Sequence, residues 1–531
     1  MNFRRYLFAV LIAWAGVGLS AGVAAESYSN SPAIRLHWLG IESITTNANA
    51  ARVMKIWQLP ETTALVDQTL DKLSRWPAGG ATNPASALLR PLLDDLVSSE
   101  FYFELHIATN QQPAAGNRQL LLALRLPAAR SDLWQTNLAA AFADLTGRKA
   151  KSAKSGWQLE AAHRYGRVEL ARTNEWTLLA IGPEAARLLP QFAASLSPAT
   201  SRKSRSMVWL EADIAPAKLA ACLNKISLGS GSLSRQMEPT VDQIAGLHFQ
   251  VSGTNGEVFT RATIALSQPW TEALPPWNIP TNFLDQETVS LTAVRGLSSW
   301  LDKLPLWQAT GLAPAPDQAY FWSESGIPFQ TYGLIPMPQA SNQLAQLSTR
   351  LIPDGNTWLD DNAEGSFQWQ ADVPGIKWND AMMISPWLKA DSVNHRDCLL
   401  GGLYALQLGD TRPPPPGMLQ PLRDTPDLVY YQTEMTGGRI DEYFFITQVL
   451  RMAFHRAQLP PKAAGTQWLK QLEPLLNAST TEVCRKDPKT LALTRKSSIG
   501  FSALELHLLA DWLESPQFPR GLHTLLAPAE Q

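Results

Sequence analysis

The chain runs to 531 residues, 45% of them apolar, with 45 Lys and Arg set against 47 Asp and Glu, so its formal charge is −2. One hydrophobic core does not organise that length, and two or more domains or a duplicated fold are expected. The near-neutral balance argues against nucleic acid as a partner, because neutralising phosphates takes a concentrated basic face. The two basic clusters, Arg148/Lys149/Lys151/Lys154 and Arg202/Lys203/Arg205, are short and interleaved with small residues, as solvated loops are.

The first 25 residues carry a basic start (Arg4, Arg5), an uncharged apolar stretch from Tyr6 to Leu19 and a small-residue ending, Val23-Ala24-Ala25. That order reads as a secretory signal cut before Glu26. The alternative is an uncleaved membrane anchor from Tyr6 to Ala25, but Gly16, Gly18, Ser20 and Gly22 weaken its distal half. No later uncharged run is long enough to cross a membrane, so the body is expected in the periplasm or outside the cell. No Cys stands near the cut, which leaves a lipid anchor unsupported.

Ala33 to Leu39 alternates as a strand does, and Asn47 to Leu59 followed by Glu61 to Trp76 predicts helix punctuated by Pro60. Phe101 to Ala108 and Gln119 to Leu126 predict two strands joined by a polar turn. Leu133 to Leu145 has helical spacing. Trp157 to Ala161, Arg167 to Arg172 and Trp176 to Ile181 predict short strands, Glu184 to Leu196 a helix, Met207 to Glu211 a strand and Pro216 to Ile226 a helix. Gln243 to Val251 and Val258 to Leu266 form a hairpin about Asn255-Gly256, a pair suited to positive φ.

Similar grammar returns after the proline-containing stretch Trp270 to Pro280. Tyr320 to Glu324 and Gln330 to Ile335 read as a hairpin, Ser341 to Leu351 as a helix and Gly365 to Gln370 as a strand. Cys398 to Leu408 and Leu428 to Thr433 read as strands on either side of Pro413 to Pro416, which forbid regular structure. Helices are expected at Asp441 to Ala457 and Thr466 to Leu476, then a strand at Thr490 to Thr494. Ser502 and Glu505 stand in capping-box spacing at the head of a last helix, Ala503 to Glu514. The fold class is α+β, with antiparallel sheets flanked on one side by helices, arranged as a diverged internal duplication: a signal over 1–25, a first unit over 26–269 and a second over 270–531. This layout resembles that of uncharacterised bacterial exported protein families of unknown function. The resemblance implies no activity and no residue roles.

Three cysteines, Cys222, Cys398 and Cys484, are too widely spaced for a structural zinc site, and Cys398 with Cys484 is the pairing to test in an oxidising compartment. The stretch Asn394-His395-Arg396-Asp397-Cys398 gathers a base, a carboxylate and a thiol, but on an extended segment His395 and Asp397 share one face and Cys398 takes the other. Asp360-Asp361-Asn362-Ala363-Glu364-Gly365 begins like a calcium loop, yet Ala371 stands where a bidentate Glu belongs, so a polar turn is expected. His507 and Asp511 are four apart with Glu514 a turn later, a spacing read as solvated helix surface. Gly229-Ser230-Gly231-Ser232 matches neither a nucleophile elbow nor a phosphate loop and reads as a linker. No catalytic, ligand-binding or metal site and no cofactor is assigned.

Nine of the 19 tryptophans lie between Trp270 and Trp387. Trp300 and Trp307, with Leu297, Leu301 and Leu304, read as the stripe of a buried helix, and Trp369 with Phe367 and Ala371 as one core face of a strand. Trp277, Trp378 and Trp387 are left as candidate exposed anchors. The leading functional expectation is a non-catalytic extracytoplasmic binding or scaffold protein whose partner is a protein, a glycan or an apolar ligand. Its rivals are an exported hydrolase with dispersed catalytic residues and a carrier of an apolar ligand, which needs a long apolar cavity.

Overall fold

A computed structural model describes residues 31–75, 84–107, 118–161, 166–196, 208–223, 243–284, 287–325, 330–371, 374–380, 384–404, 415, 417–453, 462–515 and 518–519. The predicted signal, the Gly229–Ser232 linker, the Arg202–Arg205 cluster and Pro413, Pro414 and Pro416 lie outside them, as does the side chain of Cys222. The chain is a mixed α+β protein whose described residues divide into two compact units, one of those up to 267 together with 512–515 and 518–519, the other of those from 268 to 511. Among the described residues no helix is long and apolar enough to cross a membrane.

The first unit holds β1 (Ile34–Trp38), β2 (Phe101–Ile107), β3 (Arg118–Arg125), β4 (Lys151–Ala153), β5 (Gly156–Ala161), β6 (Gly166–Thr173), β7 (Trp176–Ile181), β8 (Val208–Ile214), β9 (Ile244–Thr254) and β10 (Glu257–Leu266). All neighbours are antiparallel, in the order β10-β9-β8-β1-β2-β3-β7-β6-β5-β4. Helices α1 (Ile41–Thr45), α2 (Ala51–Trp57), α3 (Pro60–Arg75) and α4 (Pro84–Ser98) fill the β1–β2 connection; α5 (Ala128–Thr146) follows β3, α6 (Ala185–Ser195) follows β7, and α7 (Pro216–Leu223) follows β8. The β9–β10 turn is closed by Asn255 at φ 53° and Gly256 at φ 77°, the positive angles this residue pair tolerates.

Helices pack on both faces of this sheet, where one covered face was expected. Leu89 and Leu92 of α4 and Trp134, Leu138 and Phe142 of α5 bury against Leu36, Phe103, Leu120 and Leu122. Each such large side chain contributes about 1.5–3 kcal/mol. Leu189 and Phe192 of α6 cover the other face at Leu121, Ala123, Leu178 and Ala180. Buried Asp95 ties α4 to α5, accepting Arg130 at 2.9 and 2.8 Å and Trp134 Nε1 at 2.8 Å. An apolar cavity of about 50 Å³ remains among Leu89, Leu120, Trp134 and Phe142. A dry cavity that admits benzene is about 150 Å³, so this one has no room for an acyl chain.

The second unit holds β11 (Thr288–Arg295), β12 (Gln318–Glu324), β13 (Thr331–Pro336), β14 (Ser366–Gln370), β15 (Gly375–Asn379), β16 (Trp387–Val393), β17 (Arg396–Gly402), β18 (Leu428–Met435), β19 (Ala478–Asp487) and β20 (Thr490–Ser497). Their order is β20-β19-β18-β11-β12-β13-β17-β16-β15-β14, again wholly antiparallel. Strand for strand this is the order of the first unit. The connections differ: β11 and β12 are joined only by short α8 (Ser298–Leu301) and α9 (Pro305–Thr310), so the expected Trp300–Trp307 stripe is broken at Pro305. Helix α10 (Ala340–Asn362) follows β13, α11 (Gln420–Asp424) precedes β18, α12 (Thr436–Ala453) and α13 (Ala464–Leu472) lie between β18 and β19, and α14 (Ala503–Glu514) follows β20.

Arg295 pins the proline-rich lead-in to this second sheet. Its buried guanidinium donates to Leu428 O at 2.7 Å, to Pro275 O at 2.8 Å and to Pro426 O, and lies 4.7 Å from the Trp277 ring centre. At the far edge, β14 pairs among the described residues only with β15, and the outward N–H and C=O of Phe367 are taken by the Asn356 side chain at 2.6 and 3.0 Å. An amide of α10 thus stands in for the next strand and blunts the edge.

Candidate functional site

The two units use one sheet face differently. In the first, the face beneath α5 presents Ile34, Leu36, Phe103, Leu122, Ala212 and Phe249, a dry core under α4 and α5. In the second, α10 covers Ile335, Leu388, Leu399 and Ile376, and the same face continues across β12, β11 and β18 as Phe321, Thr292, Ser290, Gln432 and Glu434. No helix like α4 lies in the β11–β12 connection. Phe321 is 47% exposed at the β13 side of this strip, its ring over Gly333, where a Cβ would come within 3.1 Å of it. A side chain there would push the ring aside by a few tenths of an ångström, so the absence of a Cβ lets the ring lie close on the strand.

On this face α12 packs its Ile446 and Val449 on Leu359 of α10 and Trp378 of β15, and the strip lies beside these two helices. One cross-strand row runs Gly333, Phe321, Thr292, Gln432, Thr481, Arg495. Tyr430 donates to Gln432 at 3.0 Å, Gln432 to Glu434 at 3.4 Å, and Glu434 accepts Ala503 N at 2.6 Å and Ser479 Oγ at 3.3 Å. Arg495 is closed by a bidentate pair with Glu505 (2.9 Å for Nη2) and donates to Thr481 at 2.8 Å. Burial pushes the Glu434 carboxyl above its usual range against the pull of the Ala503 N–H and Arg439, and burial pushes the Tyr430 phenol up to about 12. Arg439 in turn bonds Glu442 and Tyr443.

Next along α12, two pairs with a four-residue stagger meet. Thr447 and His507 are 3.0 Å apart, and Arg451 donates to Asp511 at 2.7 Å. His507 is 1% exposed and Asp511 4%, so the spacing read as solvated surface marks a buried seam; the partners that bury it sit on α12, 60 residues earlier. Burial lowers the His507 pKa, with Asp511 opposing and Arg451 reinforcing the shift. In the first unit the polar face is paired within itself across strands: Arg35 bonds Glu104 at 2.8 Å, His248 bonds Asp213 at 2.8 Å, and His37 bonds Glu100 at 3.1 Å while stacking on Tyr102. Burial raises the Glu100 and Glu104 carboxyls, but hydrogen bonds from His37 and His106 with the nearby Arg125 and Arg35 bring both below their usual range.

Asn394 and His395, at φ 50° and 63°, are the two-residue turn between β16 and β17, which holds His395 in solvent. Cys398 lies on the other face of β17, buried, its thiol pushed up to about 12 by desolvation and by Asp391 and Asp397, so the three groups do not converge. Cys398 and Cys484 are both free. Strands β17 and β19 are five steps apart in the sheet, at about 4.8 Å each, beyond the reach of a disulfide. Asp360 and Asp361 belong to the last turn of α10 and not to a loop, and no group of metal-ligating side chains assembles among the described residues.

The tryptophan expectations invert. Trp378 is buried and Trp277 and Trp387 pack on the core around Tyr320 and Tyr332, whereas Trp369 is 40% and Trp358 52% exposed. Alternation gives the face on which Trp369 lies but not whether a helix covers it. The strip itself was missed because its signal is comparative: Thr292, Gln432 and Glu434 stand out only once their strands are set beside those of the first unit.

No family model matches the chain, and no curated protein matches it. A solved structure, crystal form III of TP0453, aligns over 48% of this chain and 81% of its own length at 11% identity, with a TM-score of 0.22. A likeness at that score carries nothing about function.

Proposed function

We propose that the chain is an exported, non-catalytic binding protein built by internal duplication, and that a macromolecular partner docks on this strip of the second unit. The duplication is supported by one strand order recurring in both units, with a long helix after the third strand of each. The docking site rests on one observation: Phe321, a large apolar ring, stands 47% exposed on a sheet face beside Thr292 and Gln432. Leaving half such a ring in water forgoes about 1 kcal/mol, and a partner that covers it recovers that. Export is supported by the order of Arg4, Arg5, the apolar stretch from Tyr6 and Val23-Ala24-Ala25.

The test is photo-crosslinking in cells with a photoreactive residue at position 321 and, as control, at exposed Lys149. An adduct formed at 321 and absent at 149, on a product beginning at Glu26, is expected. Equal labelling at both positions, or none at 321, refutes the reading.

A further inference from the structure

Resting on that reading of the strip, we infer that its ligand is an uncharged, extended β-linked glycan lying across the strands. The row Phe321, Thr292 and Gln432 advances by one strand at a time, about 4.8 Å, close to the advance per sugar in an extended β-linked pyranose chain, and ends at buried Thr481 of β19, beyond which stands Arg495. Phe321 rests on Gly333 with much of its ring open, a platform on which a pyranose face stacks. Thr292 and Gln432 then offer a hydroxyl and an amide, groups that both donate and accept and so suit sugar hydroxyls. The charge is matched as well: Arg495 is closed by Glu505, so the accessible row presents no net charge and an uncharged chain docks without leaving an ion unpaired. An anionic partner would have to compete with Glu505 for Arg495, and a helix laid apolar face down would bring no partner to the Thr292 hydroxyl.

The experiment is titration calorimetry on the mature chain with two probes, the hexamers of β-1,4-linked N-acetylglucosamine and of β-1,4-linked glucose. The wild type is expected to bind at least one. Phe321→Ala should weaken that binding at least tenfold and Phe321→Trp should keep it within about threefold. Gln432→Leu, which leaves the ring in place, should weaken it about fivefold and serves if the Phe321→Ala chain does not fold. Absence of binding to both hexamers, or binding untouched by Phe321→Ala and Gln432→Leu, overturns the glycan assignment. A protein adduct at position 321 together with absence of hexamer binding would sink the glycan alone and leave the docking site standing.

Discussion

Replacing Arg295 by Met should unseat the proline-rich lead-in of the second unit. The guanidinium serves three backbone carbonyls, those of Leu428, Pro275 and Pro426, and the face of Trp277, and Met reproduces its length without any donor. A buried acceptor left without its donor costs about 1–3 kcal/mol, and a cation over an indole adds about 0.5–2 kcal/mol. Because water reaches part of the proline segment once it loosens, the lower ends apply, and the sum is about 4 kcal/mol. For a unit of this size that corresponds to a fall in Tm of roughly 8–16 °C. Arg295→Lys keeps the charge but serves one carbonyl well, so it should fall between Met and wild type. Burial depresses the Arg295 pKa, yet the group stays charged at neutral pH, so the loss should not vary with pH between 6 and 9. Differential scanning calorimetry reads the shift, and amide exchange of residues 270–280 reads its place. A Met variant within about 0.5 kcal/mol of wild type, with that segment still protected, would refute the assignment of Arg295 as its anchor.

Other outcomes follow from the same contacts. His507 is neutral in the fold and its pKa is lowered by burial, so the unfolded chain takes up a proton that the folded chain refuses. Stability should therefore be complete above the ordinary histidine value near 6.5 and be lost as pH falls below it; His507→Gln should flatten that dependence in urea titrations at pH 5 to 8. Glu434 works with the opposite sign: its raised pKa adds stability at low pH that is lost as pH rises through it, and Glu434→Gln should remove this. Asn356→Ala bares the outward backbone groups of Phe367 on edge strand β14. A loss of about 1–2 kcal/mol and concentration-dependent association in light scattering are expected, and a variant that stays monodisperse at high concentration would show that the amide does not guard the edge.

Much of the fold is legible in the sequence where turns, caps and alternation act locally. Asn255-Gly256 announces its hairpin through the backbone angles it tolerates, and Ser502 with Glu505 forms the capping box its spacing predicts, with Ser502 N bonded to Glu505 at 2.8 Å. Helix α4 is absent from the predicted elements; it opens on Pro84, where the missing N–H costs nothing, and carries a second proline, Pro91, in its interior. Strands β11 and β19 are absent from the predicted elements because Thr288–Arg295 and Ala478–Asp487 hold many Thr, Ser and charged residues, and in β19 polar Ser479 and Thr481 take the buried positions. Burial at His507 and exposure at Trp369 depend on which helix arrives from elsewhere in the chain, and period alone does not encode that.

The position of β1 bears on how the chain reaches its fold. Ile34 pairs with Leu105 on one side and with Ile214 on the other, so this early strand is sealed only after β8 has been synthesised. Until then an apolar ribbon holding Ile34, Leu36 and Trp38 stands with one ladder unmet, open to mispairing. Closing a loop of that length makes assembly slow relative to a hairpin meander, and β11 faces the same wait for β18. Holdase protection of the nascent chain therefore matters most between the emergence of the first and the eighth strand of each unit.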